Sequence, residues 1–238
     1  MNNIIFQNDD CLVVNKLKGE AVEGAKEGIV NLPLELKRNL NLNFIEAVNR
    51  LDVPVTGCAL FALNSQALEF LNAAFAGSSA AKDGNNMNIE KHYWAITEKP
   101  KNPLPESGEA IHWIETNSRT NKSFAYDKET KNRKKAALKY RITGEGTNYL
   151  FIEIELLSGR HHQIRAQLAA IGFHIKGDLK YGAKRSEKTG GIRLHARSLS
   201  FPNPQKKDEI ISVTADPPEM DNLWQTFIPP APFAAFHK

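Results

Sequence analysis

The sequence lacks any long apolar segment. No run of eighteen apolar residues occurs in the 238 residues, which argues against a membrane-spanning helix. Residues 1–9 have neither a basic start nor a long apolar stretch, so we expect no signal peptide. Cysteine is scarce: Cys11 and Cys58 both lie in apolar, strand-like runs. We expect two buried thiols in a reducing cytoplasm, although counting cysteines leaves a disulfide open.

Signatures of cofactor and metal sites are also missing. No Gly-rich phosphate-binding loop follows a predicted strand, and no Cys-x-x-Cys pair occurs. The spacing of four histidines, at 161, 162, 174 and 195, matches no known pattern of metal ligands. A Ser–His–Asp triad has no nucleophile elbow to support it. We therefore expect neither a metal nor an organic cofactor.

The small net charge of +4 is unevenly distributed. Residues 119–141 hold nine Lys or Arg and two Asp or Glu, and residues 158–207 hold eleven and two. Positive charge concentrated in two blocks of a nearly neutral protein predicts a surface that binds a polyanion. For residues 119–141 alone, a solvated loop is an equally good interpretation.

Apolar periodicity predicts one mixed α+β domain, without internal repeats or a clear linker. Strands are expected at 4–6, 12–14, 58–63, 91–97, 110–116, 123–126, 192–201 and 209–215, with a hairpin over 136–157 whose tip is 144–146. Helices are expected at 32–40, capped by Asn31, at 65–76, and between 158 and 172. Residues 16–30, 77–90 and 99–108 read as loops. We assign this domain to residues 1–216 and a Pro-rich C-terminal extension, packed on it or trailing from it, to residues 217–238.

The stretch from Asn49 to Gly57 is the best candidate for a functional site. Asp52 follows Arg50 in a loop closed by Pro54 and Gly57, and the loop leads into an apolar run that predicts a buried strand. A carboxylate at the end of a buried strand is rigidly aimed, and functional residues often occupy such positions. The alternative is a solvated surface ion pair between Arg50 and Asp52.

Five motifs occur in a characteristic order. They are Arg50-Leu51-Asp52, Lys91-x-Tyr93-x-Ala95, Gly159-Arg160-His161-His162-Gln163-Ile164-Arg165, Gly177-Asp178-x-x-Tyr181-Gly182 and Arg193-Leu194-His195-Ala196-x-x-Leu199-x-Phe201. With this order and spacing, residues 4 to about 215 resemble the RluA-type pseudouridine synthases. The resemblance implies an α+β fold whose mixed, largely antiparallel sheet is flanked by helices, with a cleft that passes Asp52.

The resemblance also implies an activity, the isomerisation of uridine to pseudouridine in RNA. Asp52 would be the catalytic carboxylate, attacking either the ribose or the base. Arg165 would keep Asp52 ionised and oriented, and Tyr93 would stack on the target base and offer a hydroxyl for proton transfer. RNA contacts and base flipping would fall to Arg50, Arg160, His162 and Gln163, with Arg50 filling the space left by the extruded nucleotide. No cofactor is implied.

The sequence departs from the family pattern at several positions. Asn49 and Gln167 each stand where the family commonly has His, and His174 stands where Pro is frequent. Val55-Thr56 replaces the usual Thr-Ser, and Lys16-Leu17 replaces the usual Lys-Pro. These departures keep open a protein that binds or folds RNA on the same scaffold without catalysis. An unrelated hydrolase using Asp52 is the other alternative, and the basic blocks do not support it. We expect a cytoplasmic monomer that acts on ribosomal or transfer RNA, with no membrane and no obligate protein partner.

Overall fold

A computed structural model describes residues 3–77, 89–206 and 208–227 of the chain. The strands of these residues are β1 (Ile4–Gln7), β2 (Cys11–Lys16), β3 (Glu20–Ala21), β4 (Val30–Asn31), β5 (Glu46–Ala47), β6 (Thr56–Ala62), β7 (Glu90–Glu98), β8 (Ser107–Asn117), β9 (Lys122–Tyr126), β10 (Lys134–Glu145), β11 (Tyr149–Leu156), β12 (His174–Ile175), β13 (Leu194–Pro202) and β14 (Ile210–Thr214). The helices are α1 (Leu32–Asn39), α2 (Ser65–Gly77), α3 (Gln163–Ala170) and α4 (Asn222–Phe227), and a single 3-10 turn covers Leu179–Tyr181.

A twelve-stranded sheet forms the centre of the fold. Its order is β1-β2-β6-β13-β7-β11-β10-β8-β9, with β5 beside β6, β12 beside β7 and β14 beside β13. Within this sheet, among the described residues, β6 and β13 are parallel and the other pairs are antiparallel. The predicted α+β fold, with a mixed and largely antiparallel sheet flanked by helices, is therefore confirmed.

Strand β7 shows how the two faces of the sheet are filled. Its side chains alternate between the faces, as in any strand. Tyr93 and Ala95 belong to the core that α1 and α3 cover, whereas Trp94 and Ile96 pack with residues of α4. Helix α2 covers a third cluster, formed with β2, β6 and β13. Strand β6 is buried on both faces, and its sequence is accordingly almost continuously apolar.

The predicted helix starts agree with the structure. The Asn31 side-chain oxygen accepts a hydrogen bond from the Leu34 amide at 3.1 Å and so caps α1. Asn64 accepts the Ala67 amide at 2.8 Å in the same way at the start of α2. Each side chain satisfies an amide that has no partner within its helix.

Three expectations need correction or remain outside the described residues. The predicted hairpin tip lies too early, because β10 continues through Glu145 and the Gly146 amide closes the turn on the Tyr149 carbonyl. Residues 16–30 are not wholly a loop, since β3 and β4 pair within and just beyond them. Of the predicted loop 77–90, residues 78–88 lie outside the description, and so do residues 228–238 of the C-terminal extension.

The two cysteines are buried free thiols, as expected. Burial raises the pKa of each to about 12, so neither thiol ionises at neutral pH. Cys58 pairs across β2 and β6 with Asn15, four positions along β2 from Cys11, which places the two sulfurs too far apart for a disulfide. None of the helices in the described part of the chain has the length and apolar character needed to cross a membrane.

Candidate active site

A close contact between β6 and β13 fixes the loop that carries Asp52. Gly57 pairs with Ala196 and has a φ of +113°, a backbone conformation that residues with a side chain rarely adopt. A Cβ at residue 57 would lie 2.2 Å from the Ala196 carbonyl oxygen, so only glycine fits. The end of the Asp52 loop is thereby held against the centre of the sheet.

Two buried polar side chains hold the rest of this loop. Asn49 donates to the Cys58 carbonyl at 3.2 Å and accepts from the Leu60 amide at 2.7 Å, which ties the start of the loop to β6. The ammonium group of the fully buried Lys16 donates to the Val53 carbonyl at 3.3 Å, one residue after Asp52. It also donates to the carbonyls of Leu17 and Glu20, both at 2.8 Å. Burial lowers the pKa of Lys16 to about 8, although Glu20 and Asp52 oppose the shift.

The Asp52 carboxylate is paired with Arg165, as the resemblance implied. Arg165 Nη1 donates to Asp52 Oδ2 at 2.8 Å. Asp178 accepts from the other side of the same guanidinium, from Nε at 2.7 Å and from Nη2 at 2.8 Å. Burial opposes the charge of Arg165, but the hydrogen bonds and charges of Asp178 and Asp52 outweigh it and raise the pKa of Arg165. Arg165 is therefore a fixed cation between two carboxylates.

His162 contacts the same oxygen of Asp52. Its Nε2 lies 3.5 Å from Asp52 Oδ2, and its Nδ1 shares a 2.9 Å hydrogen bond with the Tyr181 hydroxyl. His162 precedes α3 in the left-handed conformation, with φ of +51°, and this turns its ring toward Asp52. Burial lowers the pKa of His162 to about 3, despite the opposing charge of Asp52, so the ring is neutral at neutral pH.

Tyr93 and Asp52 line the same cleft, which has a volume of about 850 Å³. Tyr93 is buried in β7, and its pKa is raised by burial and by the nearby charge of Asp52. Its phenol is therefore protonated at neutral pH. The Asp52 side chain remains 23% exposed, so a ligand in the cleft can reach its carboxylate. The three predicted catalytic residues are thus brought together in one cleft.

The four residues expected to contact RNA differ in their surroundings. Arg50, Arg160 and His162 line the cleft, and Arg50 is 58% exposed at 3.5 Å from Glu23. The surface ion pair between Arg50 and Asp52 therefore does not form. Gln163 also borders the cleft but is 2% exposed. Its amide accepts from the Ser158 hydroxyl and donates to the Ala137 carbonyl, so Gln163 is suited to hold the loop before α3 rather than to bind RNA.

The residues that support the site were not all recognised in the sequence. Asp178 belongs to one of the five motifs but was given no role at the site, yet it anchors Arg165. One signal was present, because the basic block 158–207 contains only two acidic residues, Asp178 and Glu187. Both are paired with basic side chains of the interior, Asp178 with buried Arg165, and Glu187 with half-buried Lys176 and buried Arg193. Acidic residues that persist in a basic block are candidates for such internal pairs.

The arrangement suits chemistry by a positioned carboxylate. Asp52 is partly desolvated, is oriented by Arg165, and shares its cleft with Tyr93 and with several basic side chains. In the described ranges, no group of three or more His, Cys, Asp or Glu side chains is placed to hold a metal ion. Asp52 is thus a partly exposed carboxylate that a ligand in the cleft can contact.

Curated relatives share most of the chain. A tRNA pseudouridine synthase C from Haemophilus ducreyi is 27% identical over 94% of this chain and 93% of its own length. A ribosomal large subunit pseudouridine synthase C from Vibrio parahaemolyticus is 26% identical over 89% of this chain, which spans 64% of that relative. The chain thus matches nearly all of one relative and about two thirds of the other.

Solved structures and a family sequence model agree with these relatives. The human RNA pseudouridylate synthase domain containing 1 protein has the same fold, with a TM-score of 0.72 and 22% identity over 92% of this chain and 84% of its own. The domain containing 4 protein gives a TM-score of 0.70 and 21% identity over 92% and 89%. The sequence model described as RNA pseudouridylate synthase matches residues 10–170. The chain therefore belongs to the RNA pseudouridylate synthase family, a family of isomerases, as the resemblance of its motifs predicted.

Proposed function

We propose that this protein isomerises uridine to pseudouridine in structured ribosomal or transfer RNA, with Asp52 as the catalytic carboxylate. The observation that carries the proposal is the pairing of Asp52 with Arg165 at 2.8 Å in a cleft that also contains Tyr93. A carboxylate that acts as a nucleophile or base must be held in a fixed orientation, and the guanidinium of Arg165 holds Asp52 in this way. The names of the relatives, which refer to tRNA and to the large ribosomal subunit, support an RNA substrate.

The reaction needs no external reactant. The bond between N1 of uracil and C1′ of the ribose breaks, the base turns over, and a bond forms between C5 and C1′. The proton on C5 leaves and N1 gains one, so the product is an isomer of the substrate. Asp52 acts on the ribose or the base during bond cleavage, and Arg165 holds the carboxylate in place throughout.

Tyr93 contributes its ring and its neutral hydroxyl. Its raised pKa makes a phenolate unfavourable, which supports stacking on the uracil and hydrogen-bond donation. A role as the base that removes the C5 proton would require Tyr93 to ionise first or to lose its proton in the same step. The exposed guanidinium of Arg50 at the cleft rim is suited to occupy the gap left by the flipped nucleotide.

The scope of the proposal follows the sequence. We assign catalysis to residues 1–216 and an accessory role to residues 217–238, of which α4 packs on the sheet through Trp224 and Phe227. We propose a monomer that needs no protein partner and works in the cytoplasm. Reduced, buried Cys11 and Cys58 are consistent with that compartment. Analytical ultracentrifugation of the purified protein tests the monomer, and a sedimentation coefficient of a dimer contradicts it.

Pseudouridine mapping of total RNA tests the function. Cells without the gene are compared with cells that regain the wild-type protein, Asp52→Asn, or the exposed control Asp208→Asn. We expect specific sites to vanish on deletion, to return with wild type and with Asp208→Asn, and to stay absent with Asp52→Asn. Purified Asp52→Asn should lose at least about a thousandfold in rate on the same RNA.

Two outcomes contradict the proposal. If no site changes on deletion while the protein still binds RNA in cells, it is a non-catalytic RNA-binding protein on this scaffold. If Asp52→Asn restores every site, the isomerase activity stands but the assignment of Asp52 fails.

A further inference from the structure

Lys91 is a buried lysine in the wall of the cleft. It lies on β7 two residues before Tyr93, so both side chains point to the same face of the sheet, about 7 Å apart along the strand. Both line the cleft. Lys91 is 8% exposed, which makes it one of the few buried cations of the described chain. An ammonium group is costly to bury unless acceptors or an anion compensate for the lost water.

The other deeply buried lysine has such compensation. Lys16 donates to three backbone carbonyls, and the charges of Glu20 and Asp52 favour its protonated form. Lys16 is therefore satisfied within the protein. It serves as an internal reference for what a structural lysine looks like in this fold.

Lys91 has no equivalent partners among residues 3–77, 89–206 and 208–227. Its Nζ lies 5.8 Å from the centroid of the Phe75 ring, a weak cation–π contact, and no carboxylate of these residues pairs with it. Burial alone lowers the pKa of Lys91 to about 8, and Asp52 does not contribute to the shift. Lys91 is thus mainly protonated at pH 7 and lies in the cleft wall, with no anionic partner in the described part of the chain.

We propose that Lys91 binds a phosphodiester group of the RNA next to the target uridine. The inference rests on the proposed function, since it takes the ligand of the cleft to be RNA, in which the phosphates carry the negative charge. The position of Lys91 beside Tyr93 places this phosphate contact next to the ring that stacks on the base. Arg165 is not available for the same task, because Asp52 and Asp178 occupy its guanidinium.

Binding to an RNA with single neutral phosphates tests this contact. The probe is the RNA segment that crosslinks to the protein in cells. The RNA is first incubated with the wild-type enzyme until any reaction is complete, so that no reaction occurs during the binding measurement. Methylphosphonates replace the phosphates around the bound uridine one at a time, and fluorescence anisotropy gives Kd for wild type, Lys91→Met, Lys91→Arg and the control Lys37→Met. Lys37 is an exposed lysine of α1 that lies outside the cleft and outside both basic blocks.

For wild type we expect one methylphosphonate position to weaken binding about tenfold, as the loss of a charge-assisted contact should. Lys91→Met should bind the RNA without methylphosphonates about tenfold more weakly than wild type does. A methylphosphonate at the sensitive position should not weaken its binding further. The slope of log Kd against log salt concentration should be about 0.7 to 0.9 smaller for Lys91→Met than for wild type, which corresponds to the loss of one phosphate contact. Lys91→Arg should retain most of the coupling, and Lys37→Met should behave as wild type.

Two results overturn the inference. One is a Lys91→Met protein that keeps the full penalty at every methylphosphonate position. The other is an unchanged salt slope in a folded Lys91→Met protein. If Lys91→Met does not fold, Lys91→Gln takes its place and the same criteria apply. Because binding is measured apart from catalysis, an intact phosphate coupling in a protein that forms no pseudouridine would count against the proposed function and not against this contact.

Discussion

Asp178 accepts two parallel hydrogen bonds from Arg165, at 2.7 and 2.8 Å, on the side of the guanidinium that faces away from Asp52. The Asp178 side chain is 1% exposed, so the pair is sealed from solvent. Bidentate pairing fixes the plane of a guanidinium as well as its position. The direction of Nη1 toward Asp52 is therefore set from behind, by a residue that does not touch the cleft.

The first prediction concerns this positioning role. Asp178→Asn keeps the shape of the side chain but removes its charge, so Arg165 should lose its fixed orientation toward Asp52. We expect kcat to fall about 10- to 100-fold with little change in KM, and the free energy of unfolding to fall by about 2 kcal/mol. Steady-state kinetics and urea unfolding measure the two effects.

The matched control for Asp178→Asn is Asp221→Asn. Asp221 accepts two hydrogen bonds from another buried arginine, Arg193, outside the cleft. Asp221→Asn should lower the free energy of unfolding without changing kcat. A wild-type kcat for folded Asp178→Asn contradicts the positioning role, because a purely structural pair would affect stability alone.

The second prediction separates the two functions of Tyr93. Tyr93→Phe keeps the ring and removes the hydroxyl, whereas Tyr93→Leu removes the aromatic face as well. If the ring stacks on the base, Tyr93→Phe should lower kcat with nearly unchanged KM, and Tyr93→Leu should also raise KM by about 5- to 100-fold. Single-turnover kinetics with the mapped RNA measures both quantities. Equal KM values for the two variants would exclude stacking as the source of binding energy.

The local structure around the three candidate catalytic residues could be predicted because each setting is locally encoded. Asp52 lies in a loop closed by Pro54 and Gly57, Tyr93 lies in an alternating strand, and Arg165 lies near the start of a short helix. Each of these patterns depends on neighbouring residues and is visible without a structure. The meeting of Asp52 with Arg165, 113 residues apart, is a tertiary contact, and only the family resemblance anticipated it.

Burial of polar side chains could not be predicted in the same way. Gln163 was expected to contact RNA because the family resemblance implies RNA contacts for its motif. Its burial depends on the Ala137 carbonyl of β10, which a distant segment supplies. Lys91 and Asp178 occur within the motifs, but their contacts come from α2 and from α3, respectively. Local patterns indicate which residues are polar, and the packing of distant segments decides which of them are buried.

The third prediction is a loss of stability in mild acid. His195 is fully buried, and its Nε2 contacts the Ala215 carbonyl and its Nδ1 the Thr56 hydroxyl, each at 2.8 Å. Burial lowers the pKa of His195 to about 4, whereas an unfolded histidine titrates near 6.5. Above pH 6.5 neither state binds the proton. As the pH falls from 6.5 to 4, the unfolded chain binds a proton that the folded chain excludes, so stability decreases.

The contribution of His195 to the slope of the unfolding free energy against pH should reach about 1.4 kcal/mol per pH unit. His162, with a pKa of about 3, should add to this slope. Urea unfolding at pH 7.5, 6.5, 5.5 and 4.5 measures the slope. His195→Gln should be less stable than wild type at pH 7.5 because it loses hydrogen bonds, yet its stability should fall less steeply below pH 6.5. Identical slopes for the two proteins would show that His195 does not exclude the proton.

The fourth prediction tests the contact that holds the Asp52 loop to the sheet. Gly57→Ala would place a Cβ 2.2 Å from the Ala196 carbonyl oxygen at a φ of +113°, and neither backbone segment can move without breaking the parallel pairing of β6 and β13. We expect a loss of stability above about 3 kcal/mol, measured by urea unfolding or seen as failure to fold. Gly159→Ala is the control, because nothing lies within 4 Å of its added Cβ, and its free energy of unfolding should stay within about 1 kcal/mol of wild type. Equal stability of the two variants would mean that β6 and β13 can separate at residue 57, and the Asp52 loop would then need another anchor.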